Sequence, residues 1–276
     1  MTTIDIAPDT LVAIKQKQRA TWDSADYAAV ATRIVPMAER LIDAADIEAG
    51  STVLDIATGS GNAALAAARA GGVVTGIDFA PGLLARARTR AEVEDLEVTL
   101  AEADAEALPF EDASFDAVVS AVGVMFTPDQ PRAAAELLRV CRPGGTIALA
   151  NWTPAGFVGR MLKTVGTHVA PPAGVPSPLL WGTEDRLAEL LGDGVSELLV
   201  RRRTFVFRFR SATEFVEFFR ANYGPVHKAF AALNEDGQAR LAADLQDLAS
   251  SANRSTGAAV AMPSEYLEVI ATRAAA

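Results

Sequence analysis

The sequence predicts a doubly wound α/β fold with a mostly parallel sheet. Two observations support this prediction. Short apolar runs rich in β-branched residues alternate with helical patterns between residues 51 and 153, which is typical of parallel strands covered by helices. Hydrophobic residues make up 50% of the 276-residue chain and charged residues 22%, an ordinary balance for a packed core. A chain of this length fits one large domain, or one domain with an insertion.

The first 50 residues are predicted to be helical. Apolar residues from Ile34 to Ile42 recur at helical spacing, and Gly50 ends the run. The short polar stretch TWDSADY separates two helices within this region. The region therefore supplies helices and no strand.

Five strands alternate with three helices in the next hundred residues. The first strand covers Thr52–Ile56, and an alanine-rich helix from Asn62 ends at Gly71 and Gly72. Two further helices begin near a proline, as is common at helix starts; their sequences are PGLLARARTRA and QPRAAAELLRVC. The later strands read VVTGID, LEVTLAEA, FDAVVSAVGVMF and TIALANW, with RPGG as a tight turn before the last of them.

The pattern changes after Trp152. A helix is predicted from Phe157 to Val169, followed by the proline-rich loop APPAGVPSP and a short helix over Glu184–Leu191. VSELLVRRRTFVFRFR is a long alternating strand, and its five arginines are interpreted as solvated charges near a sheet edge rather than as an anion-binding patch. Helices then run from Ser211 to about Ser250, with aromatic residues that by default pack in the core, and SEYLEVIATR is a seventh strand.

The charge of the chain argues against several classes of partner. The formal net charge is −10 and the pI is about 4.8, which disfavours nucleic acid and anionic membrane surfaces. The single cysteine, Cys141, cannot form an intramolecular disulfide and is interpreted as a buried filler rather than a nucleophile. MTTIDIAPDT lacks signal-peptide features and no apolar run is long enough to span a membrane, so a cytoplasmic protein is expected.

The stretch VLDIATGSGN predicts a ligand site. Gly59 and Gly61 follow a buried strand and open a helix, where free backbone N–H groups bind carboxylates or phosphates. The second strand ends in Asp78, an acid placed to accept hydrogen bonds from ribose hydroxyls. These features fit NAD and S-adenosylmethionine equally well, and the match to the dinucleotide fingerprint is weak on its own.

Two further acids favour S-adenosylmethionine. Asp55 ends the first strand, where its charge would repel a pyrophosphate but suits a ligand that carries an ammonium or sulfonium group. Asp104 and Ala105 follow the third strand, where an acid beside a small residue can hold the edge of an adenine. A nicotinamide-dependent oxidoreductase is thereby disfavoured.

The ordered motifs VLDIATGSGN, GIDFAPGLLARAR, AEADAEALPFEDASFDAVVS and AELLRVCRPGGTIAL resemble those of class I S-adenosylmethionine-dependent methyltransferases, particularly the branch of ubiquinone and menaquinone biosynthesis. The resemblance covers about Val53 to Trp152. It implies a seven-stranded sheet with the last strand antiparallel. It also implies N-terminal helices over 1–50 that form part of a lid, a cofactor-binding core over 51–153, and a remainder over 154–276 with a helical lid over 211–257. One departure is Ala57, where the usual pattern of the family has its first glycine.

The resemblance also implies roles for individual residues. Asp55 steadies the loop, Asp78 takes the ribose hydroxyls, Ser120 lies near the sulfonium, and Tyr27 closes over the methionine end. Asp78 as a helix cap, Phe79 as core, Asp104 as a loop cap and Ser120 as a structural residue remain alternatives. The full predicted cofactor set is Tyr27, Asp55, Ala57, Gly59, Gly61, Asn62, Asp78, Phe79, Asp104, Ala105 and Ser120.

The predicted reaction is methyl transfer to a small-molecule acceptor of the phenol, quinol or amine type. Because the sulfonium is already a good leaving group, positioning and desolvation supply much of the rate, and a base is needed only for a weak nucleophile such as a phenol. His168, His227 and Tyr223 are the candidate catalytic residues, and no spacing of His and Cys indicates a metal site. A cofactor-binding protein without methyl transfer remains an alternative, and a homodimer is left open.

Overall fold

The computed structural model describes residues 8–275 and contains one seven-stranded sheet in the order β3-β2-β1-β4-β5-β7-β6. The first five strands are parallel to one another, and β7 is antiparallel to both β5 and β6. The predicted doubly wound sheet with an antiparallel last strand is thereby confirmed. The strands are β1 Thr52–Ile56, β2 Val73–Asp78, β3 Val98–Glu102, β4 Phe115–Ala121, β5 Cys141–Trp152, β6 Val195–Phe209 and β7 Val260–Arg273.

Eleven α-helices in residues 8–275 flank this sheet and cap one end of it. Short 3₁₀ helices cover Val124–Phe126, Pro178–Gly182 and Gly192–Gly194. The α-helices are α1 Pro8–Trp22, α2 Tyr27–Arg33, α3 Val35–Ala45, α4 Asn62–Arg69, α5 Pro81–Val93, α6 Gln130–Val140, α7 Phe157–His168, α8 Glu184–Leu191, α9 Ala212–Asn222, α10 Gly224–Ala232 and α11 Glu235–Ala252. The part of the predicted N-terminal segment before residue 8 lies outside the described residues.

The N-terminal region has one more helix than predicted. The chain breaks at TWDSADY as expected, but α2 also ends at Ile34 and α3 begins at Val35. Pro36 lies in the first turn of α3, where it has no backbone N–H to continue the hydrogen-bond ladder of α2. Likewise, the predicted long helical region divides at Tyr223 and Asn234 into α9, α10 and α11.

The order of the strands determines where a ligand crevice lies. The central strand β1 is buried and pairs with β2 on one side and β4 on the other. Because the direction of the strand order reverses between β1 and β4, their carboxyl ends leave a crevice between the connecting segments. The alanine-rich helix α4 packs closely behind β1, with Ala63, Ala64 and Ala67 buried.

Two details at the strand ends differ from the prediction. The fourth strand stops at Ala121 instead of running to Phe126, because the chain turns at Gly123 into a 3₁₀ helix. A Cβ on Gly123 would lie 2.5 Å from the carbonyl oxygen of Ala57, so the turn depends on glycine. The predicted turn RPGG lies inside β5, where it forms a bulge: Cys141 pairs with Phe115, but Thr146 is already opposite Ala117.

The arginine-rich strand β6 is the outer strand of the sheet. Arg202 pairs with Glu184 and Glu265, and Arg203 pairs with Glu268. This placement agrees with the interpretation of solvated edge charges.

Cys141 is buried, and burial raises the pKa of its thiol to about 11, which agrees with a filler role. Within residues 8–275, every helix is too short or too polar to cross a membrane.

Candidate functional site

A pocket of about 450 Å³ opens at the carboxyl ends of β1, β2 and β3. Such a volume is within the range of small-molecule sites. One wall is α1, and the others come from the turn after β1, the loops after β2 and β3, and the segment after β4. Seven of the predicted cofactor residues line it: Tyr27, Ala57, Gly59, Asp78, Phe79, Asp104 and Ala105.

The turn after β1 is an open backbone cradle. Ala57, Gly59 and Gly61 all have positive φ, at 53°, 56° and 89°, a conformation that favours glycine. A Cβ built on Gly59 would lie 3.8 Å from Cε1 of Tyr27. The ring of Tyr27 therefore lies over the glycine, and both residues line the pocket.

Asp78 fixes this cradle to the second strand. One carboxylate oxygen accepts a hydrogen bond from the backbone N–H of Gly59 at 2.8 Å, and the other accepts one from Ala80 at 2.9 Å. Burial raises the pKa of Asp78 to about 6, while the N–H donors of Ala80, Gly59 and Phe79 oppose the shift. The two oxygens together offer about four lone pairs to these three donors, so the group can still accept one donor from the pocket.

Asp55 acts from behind the cradle. It is buried and does not line the pocket. Its Oδ2 accepts hydrogen bonds from Thr58 Oγ1 at 2.6 Å and from the N–H of Ala64 at 2.9 Å, so it steadies the turn. Burial raises its pKa to about 7, against the opposing effect of these two donors. Oδ1 has no hydrogen-bond partner among the residues that the structure describes.

Asp104 lies on the wall of the pocket after β3 and contacts α1. Its Oδ2 accepts a hydrogen bond from Lys15 Nζ at 2.6 Å, and its Oδ1 accepts one from the N–H of Glu106 at 2.9 Å. The side chain nevertheless remains 42% exposed. Asp104 is therefore a loop cap, as one alternative held, and is also accessible from the pocket.

Gly61, Asn62 and Ser120 are not brought to the pocket. The side-chain amide of Asn62 donates through Nδ2 to the carbonyl of Ala31 at 2.8 Å and accepts through Oδ1 from Arg90 at 2.7 Å. The hydroxyl of Ser120 donates to the carbonyl of Ile56 at 2.7 Å and accepts from the N–H of Val124 at 2.9 Å. These polar groups join neighbouring segments, and Gly61, Asn62 and Ser120, which were predicted to face a ligand, do not line the pocket in this structure.

The three candidate catalytic residues also lie outside the pocket lining. His168 pairs with Asp244 at 2.6 Å, which joins α7 to α11. His227 Nδ1 lies 3.1 Å from the carbonyl oxygen of Arg220. Tyr223 is buried, and its ring packs 5.8 Å from that of Trp22 and 6.3 Å from that of Tyr27. Tyr223 thus supports the pocket wall from behind.

Helix α1 supplies site residues that the sequence reasoning missed. Lys15, Arg19 and Trp22 line the pocket, and Gln18 Nε2 donates to the carbonyl of Phe126 at 3.1 Å. Trp22 packs edge-on against both Tyr27 and Phe126, at 5.1 and 5.0 Å between centroids. The only sequence signal was the spacing of these residues on one face of a helix, which does not show what that face covers.

The charged wall is acidic overall. Four carboxylates and two cations line the pocket, so the negative charges exceed the positive charges by two. Asp78 is the one of these carboxylates that has no cationic partner among residues 8–275. In that same part of the chain, no group of three or more His, Cys, Asp or Glu side chains is placed to hold a metal ion. The charged lining residues are Lys15, Arg19, Asp78, Glu102, Asp104 and Glu106.

Comparison with known proteins agrees with this geometry. Residues 54–149 match the model of a methyltransferase domain family. An uncharacterised protein of Mycobacterium tuberculosis is 46% identical over 230 residues, which cover 82% of this chain and 83% of that protein. A demethylmenaquinone methyltransferase of Thermus thermophilus is 42% identical over 136 residues, which cover 48% of this chain and 62% of the enzyme.

A solved structure has a similar fold. It is phosphoethanolamine N-methyltransferase 2 of Haemonchus contortus, in complex with phosphomonomethylethanolamine and S-adenosylhomocysteine. The TM-score is 0.56 at 19% identity, and the match covers 87% of this chain and 53% of that one. At this identity the likeness concerns the fold.

Proposed function

Because the chain belongs to the class I S-adenosylmethionine-dependent methyltransferases, we propose that its pocket binds S-adenosylmethionine and that it methylates a small-molecule acceptor of the phenol, quinol or amine type. The observation that carries the proposal is Asp78 on the pocket wall, bonded to the backbone of Gly59 in the open cradle. An acid and a glycine cradle at the ends of neighbouring parallel strands suit the ribose and the amino-acid end of one ligand.

The residues fit this cofactor better than a dinucleotide. The excess of carboxylates on the pocket wall favours a cationic ligand, and Asp55 adds a buried carboxylate directly behind the turn. A pyrophosphate would bring two more negative charges to the same place. The φ of Gly59 is 56°, a conformation that favours glycine, so the turn presents its backbone to a ligand without a side chain at this position.

In this proposal each wall holds one part of the cofactor. Asp78 accepts hydrogen bonds from the ribose, Asp104 accepts one from the amino edge of the adenine, and Phe79 and Ala105 pack against the ring. The backbone from Ala57 to Gly61 receives the methionine portion. When bound, the cofactor supplies a methyl group on a sulfonium.

The protein's own contribution to the reaction is positioning and exclusion of water. Trp22, Tyr27 and Phe126 form an apolar aromatic wall beside the cradle, which orients an acceptor and strengthens electrostatic interactions inside the site. No histidine lines the pocket in the described part of the chain. The proposed reaction therefore uses no histidine base, so a phenol or quinol acceptor would have to pass its proton to another group or to water as it is methylated.

The cofactor proposal is tested by isothermal titration calorimetry with S-adenosylhomocysteine and, separately, with NAD. We expect saturable binding of S-adenosylhomocysteine and no heat from NAD beyond dilution. Binding of NAD alone would refute the proposal and support an oxidoreductase.

The acceptor is tested with labelled S-adenosylmethionine and a panel of phenols, reduced quinones and amines. The name of the Thermus thermophilus relative, demethylmenaquinone methyltransferase, makes reduced naphthoquinones the first compounds to try. We expect label in at least one product. Tight binding of S-adenosylhomocysteine with no transfer to any member of the panel would favour the cofactor-binding protein without methyl transfer.

A further inference from the structure

Helix α1 is joined to the pocket wall after β3 by one lysine and two carboxylates. Nζ of Lys15 lies 2.6 Å from Oδ2 of Asp104 and also contacts the carboxylate of Glu106. Oδ1 of Asp104 accepts a hydrogen bond from the N–H of Glu106 at 2.9 Å. The carboxylate of Asp104 is thus held by one donor on each oxygen, and all three residues line the pocket.

Glu106 keeps this arrangement in place. Its side chain is fully buried, and Oε1 accepts a hydrogen bond from the N–H of Asp129 at 2.7 Å. Its backbone carbonyl accepts a second one from Arg132 Nε at 2.7 Å. A buried carboxylate requires a charged or hydrogen-bonded partner, and Lys15 is the cation that pairs with it. Two carboxylates therefore hold Lys15 at this corner of the pocket.

Because two donors fix the carboxylate of Asp104, its remaining lone pairs favour a ligand edge that donates a hydrogen bond. Each oxygen of an ionised carboxylate has two lone pairs and no proton to donate. One lone pair on each oxygen is in use, and the side chain is still 42% exposed. A ligand edge with an N–H donor satisfies the remaining lone pairs, whereas a keto oxygen in the same position places acceptor against acceptor.

Removal of Lys15 would change the chemistry of this wall. Asp104 would then lose the donor on its Oδ2, and the buried Glu106 would lose its cation and take up a proton. Burial already raises the pKa of Glu106, even with Lys15 beside it. Asp104 would keep only the donor from the N–H of Glu106, so its side chain could rotate and would no longer present its lone pairs to the ligand edge in one direction.

We propose that Lys15 is a positioning residue that makes the pocket select adenine over a 6-keto purine, because it holds the carboxylate of Asp104 in one orientation toward the ligand edge. This inference rests on the proposed function, since it requires the nucleoside of the cofactor at Asp104. It assigns to α1 a part in choosing the ligand, beyond covering the pocket.

The test compares the dissociation constants of S-adenosylhomocysteine and S-inosylhomocysteine by calorimetry. The proteins are the wild type, Lys15→Met, Lys15→Arg and the matched control Lys17→Met, which removes an exposed lysine from the same helix. We expect the wild type to prefer the adenine ligand by about tenfold or more. Lys15→Met should lose most of that preference, while Lys15→Arg and Lys17→Met keep it.

The ratio of the two constants separates selection from mere closure of the pocket. An equal loss of affinity for both ligands in Lys15→Met would show that Lys15 only holds α1 in place, and would overturn the proposal. If Lys15→Met does not fold, Asp104→Asn tests the premise that Asp104 reads the purine edge, because an amide presents both a donor and an acceptor. An unchanged ratio there would also overturn the proposal. Failure of the wild type to bind S-adenosylhomocysteine at all would instead refute the proposed function.

Discussion

Asp78 combines a structural and a binding position in one side chain. Its two oxygens connect the cradle at Gly59 to the start of α5 at Ala80, and it also lines the pocket. The alternatives of helix cap and ligand acid are therefore compatible at this residue. A substitution here is informative when binding and stability are measured separately.

Asp78→Asn should weaken binding of S-adenosylhomocysteine by about 1–3 kcal/mol, because one hydrogen-bonded carboxylate oxygen is replaced by an amide NH₂. Calorimetry measures the change. Glu97→Gln, at an exposed position outside the pocket, is the control and should bind as the wild type does. Unchanged affinity in a folded Asp78→Asn protein would leave Asp78 with its structural role alone.

Ser120→Ala should lower the free energy of unfolding by about 1–3 kcal/mol, because the carbonyl of Ile56 and the N–H of Val124 lose a buried partner. Urea denaturation measures this loss. Affinity for S-adenosylhomocysteine should stay within about twofold, or about 0.4 kcal/mol. The opposite result, lower affinity at unchanged stability, would place the hydroxyl at the ligand after all.

The sequence motifs identified the residues whose roles depend on the ends of strands. Asp78 ends a strand, Gly59 and Asp104 each follow one, and parallel strand ends meet at one edge of the sheet. Ser120 and Asn62 have the same kind of position in the sequence, but their side chains bond to other segments. A motif fixes the place of a residue along the chain, and the direction of its side chain depends on distant neighbours.

At the scale of elements, α1 depends on α10 for its position. The first residue of α10, Gly224, lies against the end of α1, where a Cβ would be 2.4 Å from the carbonyl oxygen of Thr21. The two contacting residues, Thr21 and Gly224, are 203 residues apart in the sequence (224 − 21 = 203). No local sequence pattern could have shown that α10 packs against α1 and so supports one wall of the pocket.

Gly224→Ala should push α10 away from α1, since backbone atoms cannot move aside as a flexible side chain does. We expect a loss of about 1–3 kcal/mol in the free energy of unfolding and weaker binding of S-adenosylhomocysteine. The matched control is Gly166→Ala in α7, where a Cβ meets nothing within 4 Å. That change should be neutral or stabilising by about 0.5–1 kcal/mol, and equal effects of the two substitutions would contradict the packing argument.

At the scale of the whole molecule, two buried carboxylates at the site lower the free energy of unfolding near neutral pH. Burial raises the pKa of Asp55 to about 7 and that of Asp78 to about 6, from 3.8 in the unfolded chain. The folded state binds these protons more tightly, so their contribution to stability is largest below about 4 and is lost as pH rises through about 6 to 7. A cationic ligand would favour the ionised forms.

The stability of Asp78→Asn relative to the wild type should therefore improve between about pH 5 and about pH 8, by on the order of 1 kcal/mol. The amide does not titrate, whereas the wild-type carboxyl group must give up its proton over this range. Urea denaturation of both proteins at the two pH values measures the difference. Glu48→Gln, which removes an exposed carboxylate, should show no such dependence, and a gap between Asp78→Asn and the wild type that is the same at both pH values would refute the argument.

The position of β7 has a consequence for how the protein is made. β7 lies between β5 and β6, although it is the last of the seven strands to be synthesised. As the nascent chain leaves the ribosome, β1 to β5 emerge first and can pair, but the outer edge of β5 stays uncovered and β6 has no neighbour. Such an open edge attracts other strands. Translation speed over residues 153–260 therefore sets how long each new molecule is exposed to aggregation.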